Sequence, residues 1–137
     1  MIAQTAPYAF STIVALGYED ALARTRDALA REGFGVLTEI DVRDTMRKKL
    51  DVEFRPYTIL GACNPSLAHQ ALSAELEIGL LLPCNVVVYA GDRPGTSVVA
   101  AMDPVAALAL TGNEEVRPIA ESVRAHLERV LSSIGPG

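Results

Sequence analysis

The fold of this 137-residue chain is decided by one continuous stretch, YTILGACNPSLAHQALSAELEIGLLLPCNVVVY at Tyr57–Tyr89. Tyr57–Leu60 is short, apolar and partly β-branched, which predicts a strand. The dipeptide Asn64–Pro65 predicts a helix start, because asparagine can cap an orphan backbone N–H and proline is tolerated at the first helical position. Apolar residues then recur at helical spacing up to Gly79. Cys84–Tyr89 predicts a second strand, so the stretch is typical of a strand, a capped helix and a strand.

The flanking sequence predicts further strands and helices. Apolar and β-branched runs predict strands at Tyr8–Leu16, Phe34–Val42 and Thr96–Met102. Helical spacing predicts helices at Tyr18–Glu32 and from about Arg117 onward, with short helical pieces at Arg43–Asp51 and Val105–Leu110. The predicted order is β-α-β-(α)-β-α-β-β-α, which indicates an α+β fold.

Length and composition exclude several classes of protein. The length of 137 residues predicts a single domain, residues 1–137, with a hydrophobic core of its own. A net charge of −5 argues against a nucleic-acid partner bound through a basic surface. No run approaches the roughly 18 apolar residues of a membrane span. Met1–Phe10 lacks the features of a signal peptide, and two cysteines without an export signal predict reduced thiols in the cytoplasm.

Two segments resemble the signatures of a known family. ILGACNP at Ile59–Pro65 and LLPCNVVVY at Leu81–Tyr89 are similar to those of the domain-of-unknown-function 302 family, whose bacterial and archaeal members have about this length. The resemblance extends from Gly17 to Pro104. It implies one mostly antiparallel sheet with helices packed on one face, similar to TATA-binding-protein-like sheets, and a homodimer. It implies no particular activity, because none is established for the family.

Cys63 is the first candidate for chemistry. It directly precedes the predicted N-cap, where the partial positive charge of a helix N-terminus would lower the pKa of a thiol. The alternative is a small buried hydrophobe at a tight junction between strand and helix. His69 follows six residues later and could orient or deprotonate this thiol, or it could be an ordinary surface residue.

The second cysteine, Cys84, begins a valine-rich strand and is expected to be a core thiol; the alternative is a contact to a bound ligand. A helix over Pro65–Gly79 would be about 22 Å long. The connector Leu80–Pro83 could retrace at most about 13 Å of that length. Because a disulfide needs Cα atoms within about 7 Å, we expect no disulfide or shared metal between Cys63 and Cys84 within one chain. Pairing across a dimer stays open.

Three further residues are candidate ligand contacts. Lys49 belongs to a basic cluster in an acidic protein; such clusters are usually solvated surfaces, but this one could hold an anionic ligand at the edge of the sheet. Asn64 and the helix N-terminus could supply N–H donors to an anion at a site organised around Cys63, with Lys49 nearby. Tyr57 is expected at the edge of the core and could contact a ligand through its hydroxyl.

These observations favour one function and leave two alternatives. The favoured hypothesis is a homodimeric binding module for a small molecule or a partner. The first alternative is a thiol-dependent enzyme or redox protein centred on Cys63. The second is the handling of zinc or copper by Cys63, His69 and Cys84, although no CxxC or HxxxH spacing supports it. No cofactor is predicted, and the residues do not distinguish an enzyme from a binding protein.

Overall fold

The computed structural model describes residues 2–134, which form one sheet of six strands together with helices. The strands are β1 (Ala3–Ala6), β2 (Ala9–Val14), β3 (Gly35–Asp41), β4 (Tyr57–Cys63), β5 (Cys84–Ala90) and β6 (Ser97–Met102). Their spatial order is β1-β2-β6-β5-β4-β3, and every neighbouring pair is antiparallel.

Five α-helices and two short 3₁₀ helices connect these strands. The α-helices are α1 (Tyr18–Arg31), α2 (Val42–Leu50), α3 (Pro65–Ala74), α4 (Pro104–Leu108) and α5 (Arg117–Ile134). The 3₁₀ helices are Leu76–Leu81 and Ala109–Thr111. Among residues 2–134, no helix has both the length and the apolar character that a membrane span requires.

One face of the sheet is covered by α1 and α5. Alternate residues of the central strands point to this face and are fully buried, among them Leu60, Val86 and Val99. They pack in one cluster with Leu29 of α1 and Leu127 of α5. The apolar faces of the strands, which repeat every two residues, and of the helices, which repeat about every 3.6 residues, therefore form a single apolar layer.

Neither α1 nor α5 lies on the opposite face of the sheet, and most side chains of that face are also apolar. The strand register aligns its side chains in rows across the sheet. One row runs through Ile13, Val98, Tyr89 and Tyr57, and the next includes Ala100, Val87, Ile59 and Ile40. We call this surface the open face.

The two edges of the sheet differ from its centre. The pairing of β1 with β2 has a register shift between Gln4 and Ala6, and that of β3 with β4 has one between Val36 and Thr38. The three central pairings are regular. Both edge strands are thus irregular, as expected of bulged strands.

A second, smaller apolar cluster lies beside the main core. It joins α3, α4, α5 and the first 3₁₀ helix through Ala71, Ile78, Leu108, Val116 and Ala120. This cluster fixes the position of α3 relative to α5, because both helices contribute residues to it.

The predicted α+β fold is confirmed, and a sheet with helices on one face agrees with the TATA-binding-protein-like arrangement implied by the resemblance. Three elements differ from the prediction. β1 was not predicted, and the region of Tyr8–Leu16 forms only Ala9–Val14. The helix predicted to reach Gly79 ends at Ala74, because Glu75 has an extended backbone (φ −155°, ψ 109°) and the chain continues as a 3₁₀ helix.

Candidate functional site

A cavity of about 260 Å³ lies where β4 ends and β5 begins, beneath α3 and α5. Its wall is formed almost wholly by aliphatic and aromatic side chains, among them Phe34, Leu67, Leu72, Ile119 and Val123. We call it the apolar pocket. Concave sites lined by apolar groups with a few polar ones are the usual form of small-molecule sites.

Local sequence explains the position of α3 at this pocket. Asn64 is the N-cap as predicted, and its side-chain oxygen accepts a hydrogen bond from the Leu67 N–H at 3.3 Å. Pro65 occupies the first helical position. The cap therefore holds Cys63, Asn64 and the first turn of the helix at one end of the pocket.

The two cysteines line the same pocket, which corrects the prediction that they lie at opposite ends of a helix. In the register of β4 and β5, Ala62 lies directly opposite Cys84, so Cys63 is one residue away from that pairing. An antiparallel partner must begin where the previous strand ends. The segment between them therefore returns to its starting point: α3 is shorter than predicted, and the 3₁₀ helix Leu76–Leu81 leads the chain back.

The environments of the two thiols differ. Both are free cysteines, Cys84 buried and Cys63 half-buried. Burial raises the pKa of the Cys84 thiol to about 11, and its proximity to Cys63 adds to the rise. Cys84 therefore remains a neutral thiol at physiological pH, and Cys63 is the more accessible sulfur of the pair.

Comparison with known proteins assigns the chain to a family. Residues 10–134 match the family described as domain of unknown function DUF302. The chain belongs to the DUF302 family. Among solved structures it resembles an uncharacterized conserved protein DUF302 from Bacillus stearothermophilus, with 28% sequence identity and a TM-score of 0.86. The match covers 95% of this chain and 100% of the other. No curated protein matches it.

The other predicted site residues of this DUF302 protein lie away from the apolar pocket. His69 is exposed and lines a separate shallow groove with Gln70, Ser73 and Glu115. Lys49 is exposed on α2. The structure therefore brings together Cys63, Asn64 and Cys84, and does not bring His69, Lys49 or Tyr57 to them.

Tyr57 lies on the open face within an aromatic group. Its ring stacks on that of Tyr89 with 5.2 Å between centroids, and the Phe54 ring lies tilted to it with 6.2 Å between centroids. Burial, followed by the proximity of Tyr89, raises the pKa of the Tyr57 hydroxyl. Arg55 lies over Tyr89 and donates to Asp92.

Sequence reasoning missed most of the pocket wall of this DUF302 protein. Leu108, Ile119 and Val123 come from α4 and α5, far from the central stretch. Their helical spacing indicated an apolar helix face, but spacing alone does not show that a face borders a cavity. Within residues 2–134, no group of three or more histidine, cysteine or acidic side chains is placed to hold a metal ion.

Proposed function

We propose that this DUF302 protein is a homodimeric binding module that takes a small, neutral, apolar molecule into the apolar pocket. The observation that carries the proposal is the pocket itself: about 260 Å³ of space between α3, α5 and the ends of β4 and β5. The free thiols of Cys63 and Cys84 suit a reducing compartment, so we include the cytoplasm in the proposal.

The chemistry of the wall determines the class of ligand. Among the described residues that line the pocket, none carries a charged side chain. The polar groups are Asn64 and the two thiols; the Asn64 oxygen already accepts from Leu67, and Cys84 is held neutral by its raised pKa. An ion would lose its hydration here without gaining a counter-charge. A neutral molecule is therefore favoured over the anionic ligand suggested by the basic cluster, whose Lys49 lies on α2.

A matched pair of variants tests the pocket. Ala68 lines it on α3, and Ala68→Leu fills part of the space with a side chain that suits a helix. Gln70→Leu makes a similar change on the exposed side of the same helix. Cyclohexanol serves as the probe in a titration followed by the methyl NMR signals of Leu67, Leu72 and Val123. We expect saturable shifts in the wild type and Gln70→Leu, and at least about tenfold weaker binding in Ala68→Leu.

Two results would contradict the pocket proposal. One is the absence of any methyl shift on addition of the alcohol to the wild type. The other is equal affinity in Ala68→Leu and the wild type, since this would place the bound probe elsewhere.

The homodimer is proposed on the character of the open face. In β2, β4, β5 and β6, none of the residues that point to this face is charged. Ile13 is 68% exposed there. Six strands spaced about 4.8 Å apart and about 20 Å long give a face of roughly 600 Å² before side-chain relief, comparable with the about 800 Å² per partner of standard interfaces. A second copy would cover this apolar surface.

Sedimentation velocity tests the dimer. Ile13→Lys places a charge on the proposed contact surface, and Leu50→Lys places the same charge at a similarly exposed leucine on α2. We expect a dimer for the wild type and Leu50→Lys, and a monomer for Ile13→Lys. A monomeric wild type at tens of micromolar would overturn this part of the proposal.

A thiol-dependent reaction is the second candidate, because Cys63 lines the pocket beside the N-terminus of α3. The test is the pH dependence of alkylation of Cys63 in a Cys84→Ser background. A midpoint well below the free-thiol value of about 8.5 would support a stabilised thiolate. A thiol that reacts only on unfolding would eliminate this candidate.

A further inference from the structure

Leu37 of the edge strand β3 is an exposed leucine in the wall of the apolar pocket. Among the described residues that line this pocket, every other side chain is buried or half-buried, whereas Leu37 is 66% exposed. Gly79 is also exposed, but it carries no side chain. A singly exposed leucine is ordinary on a protein surface; the place of Leu37 in a pocket wall distinguishes it. Leu37 therefore lies at the mouth of the pocket, where the apolar wall meets solvent.

The register of β3 accounts for the unusual position of this side chain. Two consecutive pairings with β4 are Val36–Ala62 and Thr38–Gly61. Leu37 lies between them as an extra residue that faces no residue of β4. Such a bulge interrupts the alternation of side chains along a strand and is common next to binding sites, where it redirects a side chain. Because pairings on both sides hold its backbone, the exposed Leu37 side chain can change rotamer without a shift of the strand.

The inner wall of the pocket is fixed in a way that the mouth is not. Phe34 and Val123 belong to the main core, and Ala71 and Leu108 belong to the smaller cluster. Close-packed side chains of this kind adapt little to the shape of a bound molecule. Leu37 belongs to neither cluster. The size of the molecule that fits therefore depends more on Leu37 than on the inner wall.

We propose that Leu37 is the specificity-determining residue of the apolar pocket, and that its side chain covers the outer side of the bound molecule and limits its size. This inference rests on the proposed function, because it concerns the ligand of the same pocket. Apolar contact contributes to affinity in proportion to the area removed from water. Replacing leucine by alanine at the mouth should therefore weaken the binding of a small ring and make room for a larger one.

The test compares two neutral probes, cyclohexanol and cyclooctanol, in titrations of the full chain followed by the methyl NMR signals of Leu67 and Leu72. We expect Leu37→Ala to bind cyclohexanol at least about threefold more weakly than the wild type does. The ratio of the two affinities should shift at least about threefold toward cyclooctanol. In the wild type, the Leu37 methyl signals should shift with the same midpoint as those of Leu67, because both side chains contact the probe.

Two further variants separate size selection from a general effect of substitution. Leu37→Met keeps most of the apolar volume and should retain the wild-type ratio of affinities. Leu50→Ala makes the same truncation at a leucine of α2 that is also 66% exposed and does not line the pocket. It should bind both alcohols as the wild type does.

The outcomes distinguish this inference from the proposed function. No methyl shift with either alcohol in the wild type would overturn the proposed function and this inference with it. Binding by the wild type with an unchanged affinity ratio in Leu37→Ala would overturn this inference alone. Leu37 methyl signals that stay in place while those of Leu67 move, or the same change of ratio in Leu50→Ala, would also overturn it.

Discussion

The two faces of the sheet are built from the same strands, yet only one of them is covered. Leu60 points to the helices and is fully buried, while its neighbour Ile59 points to the open face and is half-buried. The same contrast separates Val88 from Val87 in β5. In a sheet with one solvated face, the outward residues are normally polar, which gives an alternating pattern. Apart from Asn85, β5 is apolar on both sides of the sheet, which supports the proposal that the open face is also a contact surface.

The largest effect should come from truncating the covered face. Leu60→Ala removes a buried side chain and leaves a cavity, which should cost about 2–5 kcal/mol of unfolding free energy. Ile13→Ala, on the open face, should cost within about 0.5 kcal/mol under conditions where the protein is monomeric. Urea denaturation of both variants measures the difference. Similar losses would show that the two faces are equally packed within one chain.

A second variant tests the part of the open face at Gly61, where the side chains of Thr38 and Pro83 already fill the space. A Cβ on Gly61 would lie 2.9 Å from Pro83 Cγ and would collide with the Thr38 hydroxyl. Gly61→Ala should therefore cost about 1–3 kcal/mol. Gly35→Ala is the control, because its Cβ would meet only the Cys63 carbonyl at 3.9 Å. Adding Thr38→Ala to Gly61→Ala should restore part of the loss; stability equal to the wild type in Gly61→Ala alone would contradict the contact.

A smaller loss is expected at the helix cap beside the apolar pocket. Asn64→Ala removes the hydrogen bond to the Leu67 N–H and should cost about 1 kcal/mol. Asn85→Ala changes the same residue type at an exposed position of β5 and should be close to neutral. Thermal unfolding of the two variants separates capping from a general effect of removing asparagine.

The smallest effect on stability is expected for a contact between α1 and α5, the helices that cover one face of the sheet. Hydrogen bonds from His126 and then Arg129 of α5 lower the pKa of Glu32, just after α1, below its ordinary value of 4.5. When folding lowers the pKa of a carboxyl group, the ionised group stabilises the folded state. This stabilisation is complete above the pKa of the unfolded state and is lost as the pH falls through the pKa of the folded state. Glu32→Gln should therefore be less stable than wild type near pH 6, with the gap closing below pH 4.5. A constant gap across this range would exclude the linkage.

Local patterns predicted most of the fold because their physical causes are local. The Asn64 cap, the start of α5 at Arg117 and the strand Cys84–Ala90 each follow from residues adjacent in the chain. The end of α3 does not. It coincides with a hydrogen bond from the Asn113 side chain, about forty positions away, to the Ala74 carbonyl. The periodicity of the helix does not predict such a contact.

The candidate site was less predictable than the fold for the same reason. An error of five residues in the end of α3 placed Cys63 and Cys84 a helix length apart, whereas the β4–β5 register places them together. Their shared pocket also needs Ile119 and Val123 from α5. A cavity is defined by the space between distant elements, and residue spacing within one element does not describe that space.

The irregular edge strands oppose open-ended aggregation of the protein. A regular, apolar edge can recruit strands from other molecules and seed fibrils. Here β1 and β3, the two edges, both carry register shifts, and β3 also presents Glu39 and Asp41. The regular pairings are confined to the interior of the sheet. In the proposed homodimer, association would use the open face, where it stops after one partner, and not an edge, where it could continue indefinitely.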